Sequence, residues 1–235
     1  MHNIKTDEEK TLSVFYIVAL NGMEVLFMQI VLCSLMGYLI GNINPAYILS
    51  KLRGFDIRER GSGNAGASNV TMVMGKKAGA FTAVFDIFKA FAASFIAAEL
   101  FPQIRYAKIM SGVSCIIGHI FPFLMKFHGG KGLACLGGVI LSFNPTIFFA
   151  LLFAELILAL TVDYICIVAP SGAVMFTLVY ALLTGDPTGT AMLAVVSVII
   201  LFKHIENFER IQNGTEAHIS FLWRKNDELN RLGKR

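Results

Sequence analysis

The sequence predicts an all-α fold: a polytopic helical membrane bundle of about seven transmembrane helices. Three observations carry this. Apolar residues make up 55% of the 235-residue chain and charged residues 15%, where soluble domains average roughly one quarter charged. Mean hydropathy is +0.65. The apolar residues also fall in runs close to the roughly 20 residues that a helix needs to cross a bilayer. Too few polar side chains exist to coat a surface in water, so the missing solvent is lipid.

Seven candidate crossings follow in order: 28–49, 77–99, 107–125, 132–143, 146–161, 164–183 and 189–203. The fourth is short, roughly 18 Å at 1.5 Å per residue. It crosses where the membrane is thin, or it is a half-helix packed inside the bundle. Asn144-Pro145 separates it from the fifth, because proline disfavours helix at the residue before it. Were the fourth and fifth one kinked helix, the sidedness of everything after them would change. Residues 12–27 are apolar but interrupted by Asn21, Gly22 and Glu24. They read as an interfacial helix or a leading extension. The expected organisation is an N-terminal extension over 1–27, a transmembrane domain over 28–207 and a polar tail over 208–235. That tail holds Ile219, Phe221, Leu222 and Trp223 and reads as a short amphipathic surface helix.

Lysine and arginine set the orientation. Loop 50–76 holds Lys51, Arg53, Arg58, Arg60 and Lys76. Loop 126–131 holds Lys126 and Lys131, and six more cations lie after residue 203. The opposite loops are poorer, with Arg105 in 100–106 and Asp186 in 184–188; Lys108 dissents mildly. The N-terminus is predicted outside and the basic segments inside.

Composition also excludes classes. The net charge of +4 is accounted for by those inner loops, and no basic block with interleaved aromatics points to nucleic acid. Cys33, Cys115, Cys135 and Cys166 lie in apolar stretches without a C-x-x-C pair. They read as packing residues rather than as metal ligands or disulfides. The N-terminus, with Asp7, Glu8 and Glu9 against Lys5 and Lys10 and no small-residue cleavage site, does not read as a signal peptide.

Three inner segments are unlike ordinary loops. Arg60-Gly61-Ser62-Gly63-Asn64-Ala65-Gly66-Ala67-Ser68-Asn69 places three glycines within six residues. Glycine lets backbone approach a ligand, and successive amides in such a turn form an anion nest. Gly118-His119-Ile120-Phe121-Pro122-Phe123 is followed by Phe127-His128-Gly129-Gly130-Lys131-Gly132. A cation among glycines before a helix suits a phosphate. It is not a Walker A loop, because Leu133 follows Gly132. Lys203-His204-Ile205-Glu206-Asn207, then Arg210 and Gly214-Thr215-Glu216, put His204 and Asn207 on one helical face. Asp86 and Lys89, three apart within the second crossing, read as an ion pair; Glu155 and Asp163 have no specific partner by sequence.

These segments, in this order among membrane crossings, resemble the three signatures of the PlsY-type acyl-phosphate:glycerol-3-phosphate acyltransferases. Phe55-Asp56-Ile57-Arg58 and Asp86-x-x-Lys89 add to the likeness, which covers roughly residues 28 to 216. The resemblance implies transfer of a fatty acyl group from acyl phosphate to the 1-hydroxyl of sn-glycerol 3-phosphate. The products would be lysophosphatidic acid and phosphate. It implies no metal and no cofactor, membrane lipid as surroundings, and the enzyme that makes acyl phosphate as a functional partner. It implies Ser62, Lys131, His204 and Asn207 as catalytic residues. Gly61, Gly63, Asn64, Gly66, Asn69, His119, Gly129, Gly130, Gly132 and Glu216 are the implied substrate-binding residues. Lys131 and the Gly129-Gly130 amides would neutralise phosphate, His204 and Asn207 would orient the acceptor, and Ser62 would add a hydroxyl contact.

The chain departs from the family pattern at several places. Met72 stands where an arginine is usual, with Lys76 or Lys77 as point-charge substitutes. Serine positions are lost near Cys166 and Ala169, with Ser171 as a substitute. Asp163 replaces an arginine, Ala65 a bulkier residue and His128 a lysine. Two alternatives stand beside the enzyme: a different phosphorylated alcohol as acceptor, and a non-enzymatic binder or carrier of phosphorylated solutes. No inverted repeat of the transporter kind stands out.

Overall fold

The computed structural model describes residues 7–224 and 231, with side chains described from residue 22 onward. Among the described residues the regular structure is helical. Helix α1 runs Asp7–Gly41, then α2 Pro45–Leu52, α3 Ala67–Met74, α4 Lys76–Leu100 and α5 Ala107–Ile120. They are followed by α6 Leu133–Phe143, α7 Pro145–Val162, α8 Ile165–Thr184, α9 Pro187–Lys203 and α10 Ile205–Gln212. Six helical stretches are long and apolar enough to span a membrane, and α6 is a shorter apolar helix.

Their outer faces carry large apolar side chains such as Phe88, Phe153 and Leu182. In water such a surface would aggregate; in hydrocarbon it is the correct solvent-facing surface. The packed centre lies between α4, α5, α6, α8 and α9, around Ile116, Leu136, Val139, Phe176 and Val196.

Three sequence expectations change. First, α1 continues unbroken through 12–27, so this stretch is a helical leading extension and not a separate interfacial helix. Asn21, Gly22 and Glu24 do not interrupt it. Second, the 28–49 crossing is broken at 42–44. Pro45 starts α2 as a first-turn proline, and Asn44 caps it by accepting from Tyr47 N at 2.9 Å. Third, α10 ends at Gln212, and the tail continues irregularly to a 3-10 turn at Ile219–Leu222 with Trp223 exposed. The expectation for 225–230 and 232–235 lies outside the described residues.

The fourth and fifth crossings are separate helices. Asn144 between them is extended and caps α7 by accepting from Thr146 N and Ile147 N. At roughly 16 Å, α6 is shorter than the candidate membrane spans. Lys108 reaches its last turn and donates to Ser142 O at 3.0 Å. A lysine that dissents from the charge pattern therefore caps a helix end inside the fold.

Candidate active site

One end of the bundle gathers the three polar segments. The first loop begins after Asp56, which caps a 3-10 turn at Ile57–Glu59. Arg58 meets both Asp56 oxygens, at 3.0 and 2.8 Å, and donates to Met125 O at 2.7 Å. Arg58 therefore ties the first loop to the second. Its guanidinium holds the Asp56 carboxyl well below the usual carboxylate range.

The Gly61–Gly66 turn is organised by Asn69. Its Oδ1 accepts from Ser62 N at 2.8 Å, and its Nδ2 lies within 3.1 Å of the carbonyls of Ile57, Arg60 and Asn64. Gly61 has φ +63°, and a Cβ there would stand 2.1 Å from Asn69 Oδ1. Asn69 was expected to bind substrate. It is fully buried with both polar atoms engaged by its own loop, so it shapes the turn instead. Gly66 caps α3 through its backbone, and Ser62, Gly63 and Asn64 face the cavity.

The second loop folds back onto the end of α5. Gly129 N donates to Ile120 O and Gly130 N to His119 O, both at 3.1 Å. A Cβ on Gly130 would lie 2.1 Å from His119 Nε2, and one on Gly129 would lie 2.0 Å from His119 O. This corrects two expectations. The Gly129 and Gly130 amides are already donated within the fold, and His119 is buried beneath the loop rather than open to substrate. Within this loop the amides of Lys131 and Gly132, with the first turn of α6, have no backbone acceptor.

Lys131 reaches from this loop to the third segment, where its ammonium contacts Asn207 Oδ1. Asn207 Nδ2 donates to Glu216 Oε1 at 2.6 Å, and Arg210 Nε donates to Glu216 Oε2 at 2.7 Å. His204 sits at the junction of α9 and α10. Its Nδ1 pairs with Ile200 O at 2.7 Å. A carbonyl accepts, so Nδ1 carries the proton and Nε2 keeps its lone pair. Partial burial, then the nearby Arg210 cation, draws Lys131 down to about 8.

The loops border a cavity of about 470 Å³. Ser62 and Asn64 stand on one wall, Gly129 and Lys131 on another, Lys203 and Glu206 on a third. His204, Asn207 and Glu216 are buried directly behind Lys131. The cavity is edged by Arg58, Lys131 and Lys203 and by Asp56, Glu59 and Glu206; with Arg58 paired to Asp56, Lys131 and Lys203 are the cations that can meet an anionic group. Asp86, His119 and Cys135 bring ligand-type atoms within 4.8 Å of one another. That cluster already holds a cation: Lys89 Nζ lies 2.8 Å from Asp86 Oδ1 and 3.0 Å from His119 Nδ1. The ion pair expected between Asp86 and Lys89 is thus present, with His119 as a third member.

A family model described as glycerol-3-phosphate acyltransferase matches residues 31–214. The chain belongs to that family. Relatives named glycerol-3-phosphate acyltransferase include one from Bacillus velezensis, 33% identical over 196 residues, covering 83% of this chain and all of the relative. Another, from Macrococcus caseolyticus, is 37% identical over 205 residues and spans 83% of this chain and 99% of its own. The fold is similar to the crystal structure of PlsY, an integral membrane glycerol 3-phosphate acyltransferase, in its glycerol 3-phosphate form. The TM-score is 0.76 at 28% identity over 82% of this chain and 96% of that one. The lysophosphatidic acid form of PlsY gives 0.71 at 29% identity, over 80% and 94%.

The departures of this glycerol-3-phosphate acyltransferase family member from the pattern have structural answers. Met72, on α3, is half-buried and does not line the cavity; Lys76 and Lys77 are exposed and do not line it either. Ser171 cannot replace the lost serines. It donates to Glu155 Oε2 at 2.8 Å, inside the membrane between α7 and α8, which also supplies Glu155 with a partner. Cys166 lies against Glu216. Asp163 binds the tail, accepting from Ser220 N and Ser220 Oγ at 2.8 Å. His128 lines the cavity and Ala65 is buried. Sequence reasoning assigned no site role to Arg58, Lys203 or Glu206. Arg58 was legible in the Phe55–Arg58 stretch, and the other two flank His204 in the third segment.

Proposed function

We propose that this chain transfers a fatty acyl group from acyl phosphate to the 1-hydroxyl of sn-glycerol 3-phosphate. The products are lysophosphatidic acid and inorganic phosphate, as the first acylation in phospholipid synthesis. The single observation that carries the reading is the contact of Lys131 with Asn207 beside a cavity that Ser62 borders. Charge for a phosphate and polar groups for an alcohol are thereby held in one place at the membrane edge. The cationic end supports a cytoplasmic-side site in a bacterial cytoplasmic membrane, by the positive-inside rule.

The chemistry asks little of the protein. Acyl phosphate is already activated. The acceptor hydroxyl attacks the acyl carbon, the new ester C–O bond forms, and the C–O bond to phosphate breaks as phosphate departs with the electron pair. The hydroxyl proton passes to a phosphate oxygen. Lys131 and the unpaired first-turn amides of α6 offset the phosphate charge, and His204 Nε2 and Asn207 orient the acceptor. Ser62 supplies a hydroxyl at the opposite wall.

Purified protein in lipid nanodiscs, given acyl phosphate and glycerol 3-phosphate, is expected to release lysophosphatidic acid and phosphate in equal amounts. Omitting acyl phosphate abolishes both. No product at saturating acceptor defeats the reading.

A further inference from the structure

We propose that Lys89 fixes the spacing of the two glycine-rich loops, with Asp86 and His119 as its partners. All three are positioning residues rather than catalytic ones. The inference rests on the acyltransferase reading for its activity readout but not for its geometry.

Each link is a contact. Lys89 Nζ donates to Gly41 O at 3.2 Å and to Ile43 O at 2.6 Å. These carbonyls are left unpaired where α1 stops before Pro45. The buried Lys89 ammonium is the donor that closes the break. The same break carries Asn44, whose Nδ2 donates to Ala65 O at 3.1 Å inside the first loop. On its other side Lys89 stands 3.0 Å from His119 Nδ1, and Asp86 Oδ1 lies 3.5 Å from that nitrogen. His119 then holds the second loop twice. Its carbonyl accepts from Gly130 N, and its ring fills the space a side chain at 130 would need.

The path from Ala65 through Asn44, Ile43, Lys89 and His119 to Gly130 therefore joins the two walls of the cavity. The three ionisable members are at most 3% exposed and do not line that cavity. Their effect on chemistry passes through loop position alone. An apolar side chain at 89 strands Asp86 and two carbonyls together, so both loops lose their anchor in one step.

Hydrogen exchange of residues 61–66 and 129–132, measured without substrate in nanodiscs, tests this. Lys89→Met and the isosteric Asp86→Asn are compared with Thr177→Val. The control breaks the Thr177–Ser197 hydroxyl pair, 3.0 Å apart and away from the cavity. We expect protection to fall in both loops together in the Asp86 and Lys89 variants, and KM for glycerol 3-phosphate to rise roughly tenfold with a smaller change in kcat. Thr177→Val is expected to lower the melting temperature with neither effect. If Lys89→Met fails to insert, Asp86→Asn alone reads the coupling. Unchanged protection, loss in one loop only, or the same pattern in Thr177→Val overturns the proposal. The exchange result stands even if the chain lacks acyltransferase activity, so the two failures are distinguishable.

Discussion

The Lys131 ammonium touches the Asn207 side-chain oxygen across 76 residues of sequence. That contact welds the loop before α6 to the helix after α9. Asn207 is in turn held by Glu216, so the position of the lysine depends on a residue of the tail.

Replacing Lys131 by alanine removes the charge that meets phosphate. Turnover is expected to fall by about 100-fold or more, the scale on which loss of a single transition-state donor acts. The protein still inserts and melts normally, because Lys131 is only half-buried at the cavity edge. Steady-state rates beside a melting curve check this, and near-wild-type turnover rejects the site.

The depressed Lys131 value gives a pH limb. Lysine is charged below its pKa and neutral above it. With that value near 8, kcat/KM for glycerol 3-phosphate is expected to decline as pH rises past about 8. Arginine at 131 stays charged throughout and should flatten the limb, although with altered geometry. An identical alkaline limb in Lys131→Arg assigns the titration to another group.

At His204, Nδ1 is spent on Ile200 O and Nε2 is the free nitrogen. Glutamine places its terminal amide near the Nε2 position, while asparagine reaches only the Nδ1 position. His204→Gln is therefore expected to retain more activity than His204→Asn, with His204→Ala the lowest. The reverse order shows that the ring acts through its backbone-bonded edge.

Met72→Arg restores a guanidinium near the first loop. Because residue 72 does not line the cavity, KM for glycerol 3-phosphate is expected to stay within about twofold, read by initial rates. Unchanged KM places residue 72 away from the phosphate.

Much of this was legible beforehand. Composition fixed the membrane class, Asn144-Pro145 marked the end of the short fourth helix, and the Asp86–Lys89 spacing announced an ion pair. The third segment put His204 and Asn207 three residues apart, and at the α9–α10 junction Asn207 N donates to His204 O at 2.9 Å. What escaped was packing. The break at 42–44 had a signal in Asn44-Pro45, but the unbroken apolar run hid it. His119 and Asn69 carry polar atoms that look available in a sequence and are consumed by neighbouring backbone in space. Gly129 and Gly130 were read for their amides. Their missing side chains matter more, because the end of α5 occupies that room. Ser171 has the right chemistry but points at Glu155.

The spacing of Asp86 and Lys89 also bears on how the chain enters the bilayer. Lone charges at mid-helix resist insertion by about 2.5–3.5 kcal/mol each. Because the two sit one turn apart on α4 and touch at 2.8 Å, α4 brings its own counter-ion to the translocon and can partition as a neutral unit. His119 arrives one helix later, after the costly pair is already housed.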